Sequence, residues 1–280
     1  MHVVRTRAEL RAALAVAPRP VGLVPTMGWL HAGHVSLVER ARAESSTVVL
    51  SIFVNPTQFG DAADFEQYPR NEARDLAQAD AAGVDLLFAP TVDEVYPAGF
   101  DTAVSVGAIA SPLEGAARPG HFDGVATVVA ILFALVGAER AYFGLKDYQQ
   151  IRVIRRMALD LALPTTVVPC ETVREPDGLA LSSRNARLSP TGRAAAPVLH
   201  RALLAGAARI QSGERSADEV RAAMRGVLAE EPMADPDYVS AADADTLAEL
   251  DEIGTETLLS LAVRIDGVRL IDNERVTRGE

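Results

Sequence analysis

An alternation running through the first 170 residues constrains this chain more than any other feature. Short apolar or β-branched runs, "VGLVPT", "STVVLSIFVN", "VDLLFAP", "RAYFG" and "TTVVPC", are separated by segments whose apolar residues recur at helical spacing. The first reads as a short buried strand from Val21 to Pro25, the second as a strand ending at Asn55, and the third as one stopped by Pro90. Helices are expected at "HVSLVERARAE", with Val35, Leu37, Val38 and Ala41 on one stripe, and at "NEARDLAQADAAG", stopped by Gly83. Two more are expected, over Val125–Val136 and at "DYQQIRVIRRMALDL". Thr6 and Glu9 have capping-box spacing ahead of "LRAALAVA", which predicts a helix before the first of these strands. Strand, helix and strand in this order build βαβ units and hence a parallel sheet.

The pattern changes near residue 175. "SPTGRAAAPVLHRALL" reads as a helix with Ser189 as N-cap and Pro190 at its first position, and Ser216 and Glu219 box the start of "ADEVRAAMRGVLAEE". "LLSLAVRIDGVRLIDN" is two alternating runs around Asp266-Gly267, the signature of a hairpin. An α/β domain over 1–174 followed by a smaller α+β domain over 175–280 is the expected organisation.

Composition removes several classes of function. Hydrophobic residues make up 49% of the 280, enough for a core without disulfides, and the one cysteine, Cys170, has no internal partner. A reducing cytoplasm is the expected compartment, since "MHVVRTRAEL" lacks the apolar stretch of a secretory signal. The apolar run Val125–Ala138 is too short to span a bilayer. A net charge of −11 without a dense Lys/Arg block argues against a nucleic-acid surface.

Four stretches carry chemistry-bearing residues, each at an expected strand end or at the domain boundary. "PTMGWLHAGH" (25–34) falls between a strand and a helix, where open α/β sheets bind their ligands. Gly28 and Gly33 allow close backbone approach, and the helix that follows offers free N–H groups to an anion. His31 and His34, at i and i+3, face the same way and can donate to phosphate oxygens. Two surface histidines at a helix start would look the same, and a zinc pair is a third reading, though no nearby Cys or His cluster completes its ligands. "FVNPTQFG" sets Asn55 and Gln58 after a strand end, where amides can read a small polar ligand or merely shape an Asn-Pro turn. "FGLKDYQQ" (143–150) offers Gly144 for close approach, Lys146 as a point charge for phosphates, Asp147 for a helix cap or a ribose hydroxyl, and Gln150 one turn inside the helix. "REPDGLALSSRN" (174–185) brings Ser182, Ser183 and Arg184 into one loop, apt for triphosphate oxygens or for a polar linker. "ARPGHFDGVATVV" sets His121 and Asp123 between glycines, as in a lid or dimer-contact loop.

Taken in order, these stretches resemble the pantoate–β-alanine ligase family within the HIGH-motif nucleotidylyltransferase superfamily. The resemblance runs through "VGLVPTMGWLHAGH", "SIFVNPTQFG", "FEQYPR", "RPGHFDGVATVV", "FGLKDYQQ" and "REPDGLALSSRN", with "HAGH" as the HIGH-type signature and "LSSRN" where related synthetases carry a KMSKS-type loop. It implies a Rossmann-like parallel-sheet catalytic domain binding ATP and pantoate, a smaller α+β C-terminal lid domain, a homodimer and dependence on Mg2+ and ATP. It also implies the reaction: ATP, (R)-pantoate and β-alanine give pantothenate, AMP and pyrophosphate through a pantoyl-adenylate. On matching positions, Met27, Gly28, Trp29, Leu30, His31, Ala32, Gly33 and His34 would bind ATP, with Gly144, Leu145, Lys146 and Asp147 and with Val173, Leu181, Ser182, Ser183 and Arg184. His34 matches the residue assigned as proton donor, and His31 and Lys146 join it as catalytic candidates. Gln58 would touch pantoate and β-alanine, Gln150 would bind pantoate, and Asn55 is a further substrate candidate.

The chain departs from the family pattern at Leu145, where Glu is usual, and at Leu181, where Met is usual. The magnesium ligands are not assigned; Glu72 and Asp75, downstream of Tyr68, match the family pattern poorly. Other adenylyl-transferring enzymes, making a dinucleotide or charging tRNA, are the nearest alternative, and a catalytically dead ATP-binding protein is the other.

Overall fold

The computed structural model describes residues 1–60 and 65–278. Backbone contacts divide it into two compact units: 1–110, 118–145 and 149–171 form the first, and 111–117, 146–148 and 172–280 the second.

The first unit is built on six parallel strands: β1 (His2–Val4), β2 (Val21–Thr26), β3 (Thr47–Ile52), β4 (Leu86–Phe88), β5 (Arg140–Gly144) and β6 (Thr166–Cys170). Their spatial order is β1-β4-β3-β2-β5-β6. Side chains alternate between faces, so Leu23 and Val49 join one apolar cluster while Val24 and Leu50 join another. Helices α1 (Arg7–Ala15), α4 (His121–Val136) and α5 (Tyr148–Asp160) supply Leu10, Phe122 and Ile151 to the first cluster. Helices α2 (Ala32–Glu44) and α3 (Glu72–Ala81) supply Leu37, Val38 and Ala79 to the second. With both faces covered, β2 and β3 read as continuous apolar runs. The expected α/β parallel sheet is therefore what the chain forms.

The second unit packs α6 (Pro190–Ala195), α7 (Val198–Gln211) and α8 (Ala217–Ala229) against an antiparallel sheet. Its strands, β7 (Ala234–Asp243), β8 (Glu256–Ile265) and β9 (Val268–Thr277), lie in that order. The β8–β9 turn is the expected hairpin, with Asp266 and Gly267 at φ +54° and +74°.

Some boundaries differ from expectation. The second apolar run leaves the sheet at Ile52, and only the segment beyond it bears Asn55. The single helix expected after Ser189 is two, because Pro197 has no N–H to continue the first. The apolar helix starts at His121, four residues before Val125, since Gly120 at φ +78° turns the chain into it. His121 and Asp123 are thus its first turn, not part of a lid or dimer-contact loop. Gly124, inside that helix, lies hard against the turn after β3. A Cβ there would stand 2.4 Å from the Thr57 carbonyl oxygen and 2.7 Å from the Gln58 nitrogen.

Because both neighbours are main chain, no rotamer change relieves that overlap. Gly124→Ala is expected to cost about 1–3 kcal/mol, as overpacking does. Urea unfolding against the parent measures it; a change within about 0.5 kcal/mol would mean that the turn yields freely.

Candidate active site

β2 is the strand at which the sheet order reverses: the chain runs from it to β3 and β4 on one side and to β5 and β6 on the other. Ligands of open α/β sheets bind beyond the carboxyl ends of strands at such a point. The loop leaving β2 is held there by its own backbone chemistry. Thr26 Oγ1 donates to the Ser51 carbonyl at 2.7 Å and accepts from Gly28 N at 3.1 Å. Gly28 and Trp29 then take left-handed conformations, φ +82° and +50°. The next two N–H groups, of Trp29 and Leu30, donate to Asp75 Oδ2 and Oδ1, each at 2.8 Å. Asp75 is buried, with 2% of its surface exposed.

The loop ends in the two histidines. His31 is the N-cap of α2, and its Nδ1 accepts from Gly33 N at 3.2 Å, so the ring proton sits on Nε2. His34 N donates to the His31 carbonyl at 2.8 Å, and the ring centroids are 4.0 Å apart at 35°. The pair stands in the first turn of α2, where the helix dipole favours an anion.

The turn after β3 builds a second feature from amides. Asn55 Oδ1 accepts from Tyr96 OH at 2.7 Å and Thr57 Oγ1 at 3.0 Å. Its Nδ2 donates to Gly124 O and to Gln58 Oε1, both at 3.1 Å. Burial holds the Tyr96 phenol above its ordinary pKa, keeping it a donor. Gln58 Nε2 consequently faces the Met27 sulfur at 3.2 Å. The Gln58 carbonyl is held in turn by His121 Nδ1 at 2.8 Å and Arg118 Nη2 at 3.3 Å. Asn55 is 1% exposed, and its amide is hydrogen-bonded to Gln58 and Gly124.

At the end of β5, Gly144 leads into a 3-10 turn whose Leu145 packs on the apolar cluster, an apolar use of the position where Glu was expected. Gln150 is half-buried in the first turn of α5.

The remaining candidates belong to the second unit. A pocket within it is lined by Lys146, Ser182, Arg184, Asn185, Arg269 and Asp272, among others. Lys146 is held by its backbone, with its carbonyl accepting from Asn273 Nδ2 at 2.8 Å, and its Nζ lies 3.6 Å from Asp147 Oδ1. The "REPDG" stretch is a small hairpin, bridged between Arg174 and Ala180, with Leu181 N donating to the Val173 carbonyl at 3.0 Å. Arg174 anchors it by a two-pronged pair with the buried Asp272, 2.6 and 3.0 Å. Ser182 then caps a 3-10 turn, Ser183–Arg187, accepting from Arg184 N at 3.2 Å.

The structure therefore brings Met27 to Gln58 and His31 to His34 in the first unit, and gathers Lys146, Ser182 and Arg184 around one pocket in the second. Sequence reasoning overlooked Asp75, Tyr96, Arg118 and Asp272 as supports, and it gave His121 a different place. Only for Asp75 was there a signal: an acidic residue in the first turn of a helix capped by Asn71. Of the carboxylates left open for magnesium, Glu72 pairs with Arg5 on the surface and Asp75 is taken by the loop.

The family model for pantoate-beta-alanine ligase matches residues 2–275. The chain belongs to the pantoate–β-alanine ligase family. It is 60% identical to the pantothenate synthetase of Roseiflexus castenholzii and 61% identical to that of Chloroflexus aggregans. The first alignment covers 98% of each chain, the second 98% of this chain and 99% of the relative. Its fold matches the crystal structure of pantothenate synthetase from Thermus thermophilus with a TM-score of 0.94 at 52% identity, over 98% of this chain and 99% of that one. The Francisella tularensis pantoate-beta-alanine ligase, solved with beta-gamma ATP and beta-alanine, matches with a TM-score of 0.81 at 32% identity, over 98% and 97% of the two chains.

Cys170, at the end of β6, is a buried thiol of this ligase family member. Burial pushes its thiol up to about 11 from 9.0. Alkylation of the folded protein at pH 8.5 is expected to run roughly a hundredfold slower than of the urea-unfolded chain. The folded state keeps this proton to higher pH than the unfolded state does. The stability it supplies is therefore complete below pH 9 and is lost as pH rises from 9 to about 11. Cys170→Ala should flatten that part of the stability profile in urea titrations, and equal slopes in the two proteins would contradict the assignment.

Proposed function

We propose that the residues gathered beyond β2 and β3 set an acid against the α-phosphate of ATP, and that the second unit's pocket residues receive the phosphates. The overall reaction, ATP-dependent condensation of pantoate with β-alanine, is that of the family to which the chain belongs. The observation that carries the division of work is Gln58. Its amide is pinned by Asn55 and faces Met27, the first residue of the loop that ends in His31 and His34.

In the first step a pantoate carboxylate oxygen bonds to the α-phosphorus as the bond to pyrophosphate breaks, leaving pantoyl-adenylate. Both reactants are anions, so their approach needs donors and positive charge. His31 through its Nε2–H, His34, the start of α2 and Lys146 supply them. Met27–His34 with Gly144 and Leu145, and Asp147, Val173 and Leu181–Arg184 of the second unit, complete the proposed ATP contacts. In the second step the β-alanine nitrogen attacks the acyl carbon, AMP leaves and the nitrogen loses a proton. A neutral Gln58 orients both small substrates without imposing charge on the amine, and Gln150 holds pantoate. The domain division carries the same proposal: 1–174 for acid and nucleotide, 175–280 as the lid that keeps water from the adenylate.

Magnesium fits as part of the substrate. Among the described residues no group of three or more His, Cys, Asp or Glu side chains is placed to hold a metal, and Mg2+ bound with ATP draws most of its ligands from phosphates and water. A homodimer rests on the family resemblance, and a cytoplasmic setting on the single, buried cysteine. Among the described residues no helix is long and apolar enough to cross a membrane.

Labelled pyrophosphate should exchange into ATP when pantoate and magnesium are present and β-alanine is absent, because attack at the α-phosphate is reversible until the amine arrives. Adding β-alanine should then give AMP and pantothenate in equal amounts. ADP as product, or exchange indifferent to pantoate, would refute this chemistry. Lys146→Ala should keep the parent melting curve and lose about 10²–10³-fold in turnover, as loss of one donor to a developing charge does. Near-normal turnover would remove Lys146 from the mechanism.

A further inference from the structure

Asp75 has two properties that are costly together. It is a carboxylate with 2% of its surface exposed, and it sits at a helix start without being the cap, since Asn71 already accepts from Arg74 N. Burying an ion without compensation is strongly unfavourable. The compensation here is specific. Each carboxylate oxygen takes one N–H of a consecutive pair, Trp29 to Oδ2 and Leu30 to Oδ1, at 2.8 Å. Two consecutive N–H groups beside left-handed residues form a concave nest that binds anions. Gly28 and Trp29 are those residues, at φ +82° and +50°, and a Cβ on Gly28 would come within 2.9 Å of Asp75 Oδ2. Arg74 adds to the frame: its Nη1 lies 3.7 Å from Asp75 Oδ1 and its guanidinium carbon is 4.8 Å from the Trp29 ring centroid.

A tryptophan in the left-handed region is strained, so this turn needs an external hold. One residue beyond the two N–H groups stands His31, whose carbonyl receives His34 N and whose ring stacks on that of His34. Whatever fixes 28–30 fixes the start of α2 and both rings. The same bonds occupy the N–H groups of Trp29 and Leu30, so these residues offer a nucleotide other atoms than those donors.

We propose that Asp75 is a positioning residue for adenylate formation: its carboxylate fills the 28–30 nest and thereby sets where His31 and His34 stand. This rests on the role given to those histidines above.

The isosteric Asp75→Asn keeps the shape but turns an NH2 group on one of the two donors. A displacement near 1 Å of groups that must align costs roughly 10²-fold in rate. Pantoate-dependent exchange of pyrophosphate into ATP should fall by about that factor, with the apparent KM for pantoate within about threefold of the parent. Two comparisons separate positioning from general destabilisation. Ala77→Gly, on the exposed side of the same helix, should lower the melting temperature with its exchange rate near that of the parent. In Asp75→Asn/His34→Ala the two losses should not multiply: the double variant should stay within about threefold of His34→Ala, because Asp75 acts through the histidine. If Asp75→Asn has no native melting transition, Asp75→Glu, with both acceptors one methylene further out, takes its place in the same comparisons. Exchange by the Asp75 variant near the parent rate, an equal loss in Ala77→Gly, or fully multiplying losses would each overturn the proposal. His34→Ala with parental exchange would instead overturn the reading of the histidines, which is a different result.

Discussion

The central constraint on the first unit is that β2 is paired on both edges and covered on both faces. Val21, Leu23 and Val24 have no exposed surface, and β3 and β5 flank the strand in parallel register. A strand so placed cannot slip without carrying its apolar set to the wrong face. Its carboxyl end is therefore among the best-fixed points of the unit, and the loop that ends in His31 and His34 begins there, at Met27. Less firmly held loops would leave two histidine rings to find their spacing by chance; here the spacing follows from the sheet.

Beyond that anchor the site is made from polar groups satisfied almost wholly by one another. Asn55 receives and gives hydrogen bonds in four directions, and Gln58 is held at both its amide and its carbonyl. Networks of this kind are favourable only when nearly complete, since an unpaired buried group costs more than a paired one returns. The second unit repeats the device with charge. Arg269 pairs through both terminal nitrogens with the buried Glu114, which also accepts from Tyr238 OH at 3.0 Å. Burial first, and then the charge of Glu114, hold the Tyr238 phenol well above its usual range, so it remains a donor. Glu114 lies in the short segment 111–117, which belongs to the second unit although its sequence lies within the first.

Much of the architecture was legible because period and punctuation agreed. The β2 and β5 runs, the Thr6 and Ser189 caps and the Asp266-Gly267 hairpin were all readable from local residue types. The missed pieces lacked such signals. β1 is three residues with partners far along the chain, and β7, "ADPDYVSAAD", carries a proline and a register shift between Pro236 and Tyr238, both typical of an edge strand. In the candidate site, residues proposed to meet a ligand were named from position and chemistry, whereas those that support them were not. Asp75 is 45 residues from Leu30, and Tyr96 is 41 from Asn55. No spacing rule connects such pairs; the sheet order does. Asn55 shows the limit of the sequence itself, since an amide at a strand end looks the same there whatever its partners are in the fold.

The contact at Gly124 has a consequence for precision. Gln58 is referenced to main-chain atoms of α4 rather than to its side chains: Asn55 bonds the Gly124 carbonyl, and the missing Cβ lets the Thr57–Gln58 backbone lie directly on the helix. Those two contacts use only backbone atoms of α4, so they do not depend on the identity of its outward side chains. Sequence drift on the remaining faces of α4 leaves Gln58 where it is, so this contact separates what the helix must be from what it is free to become.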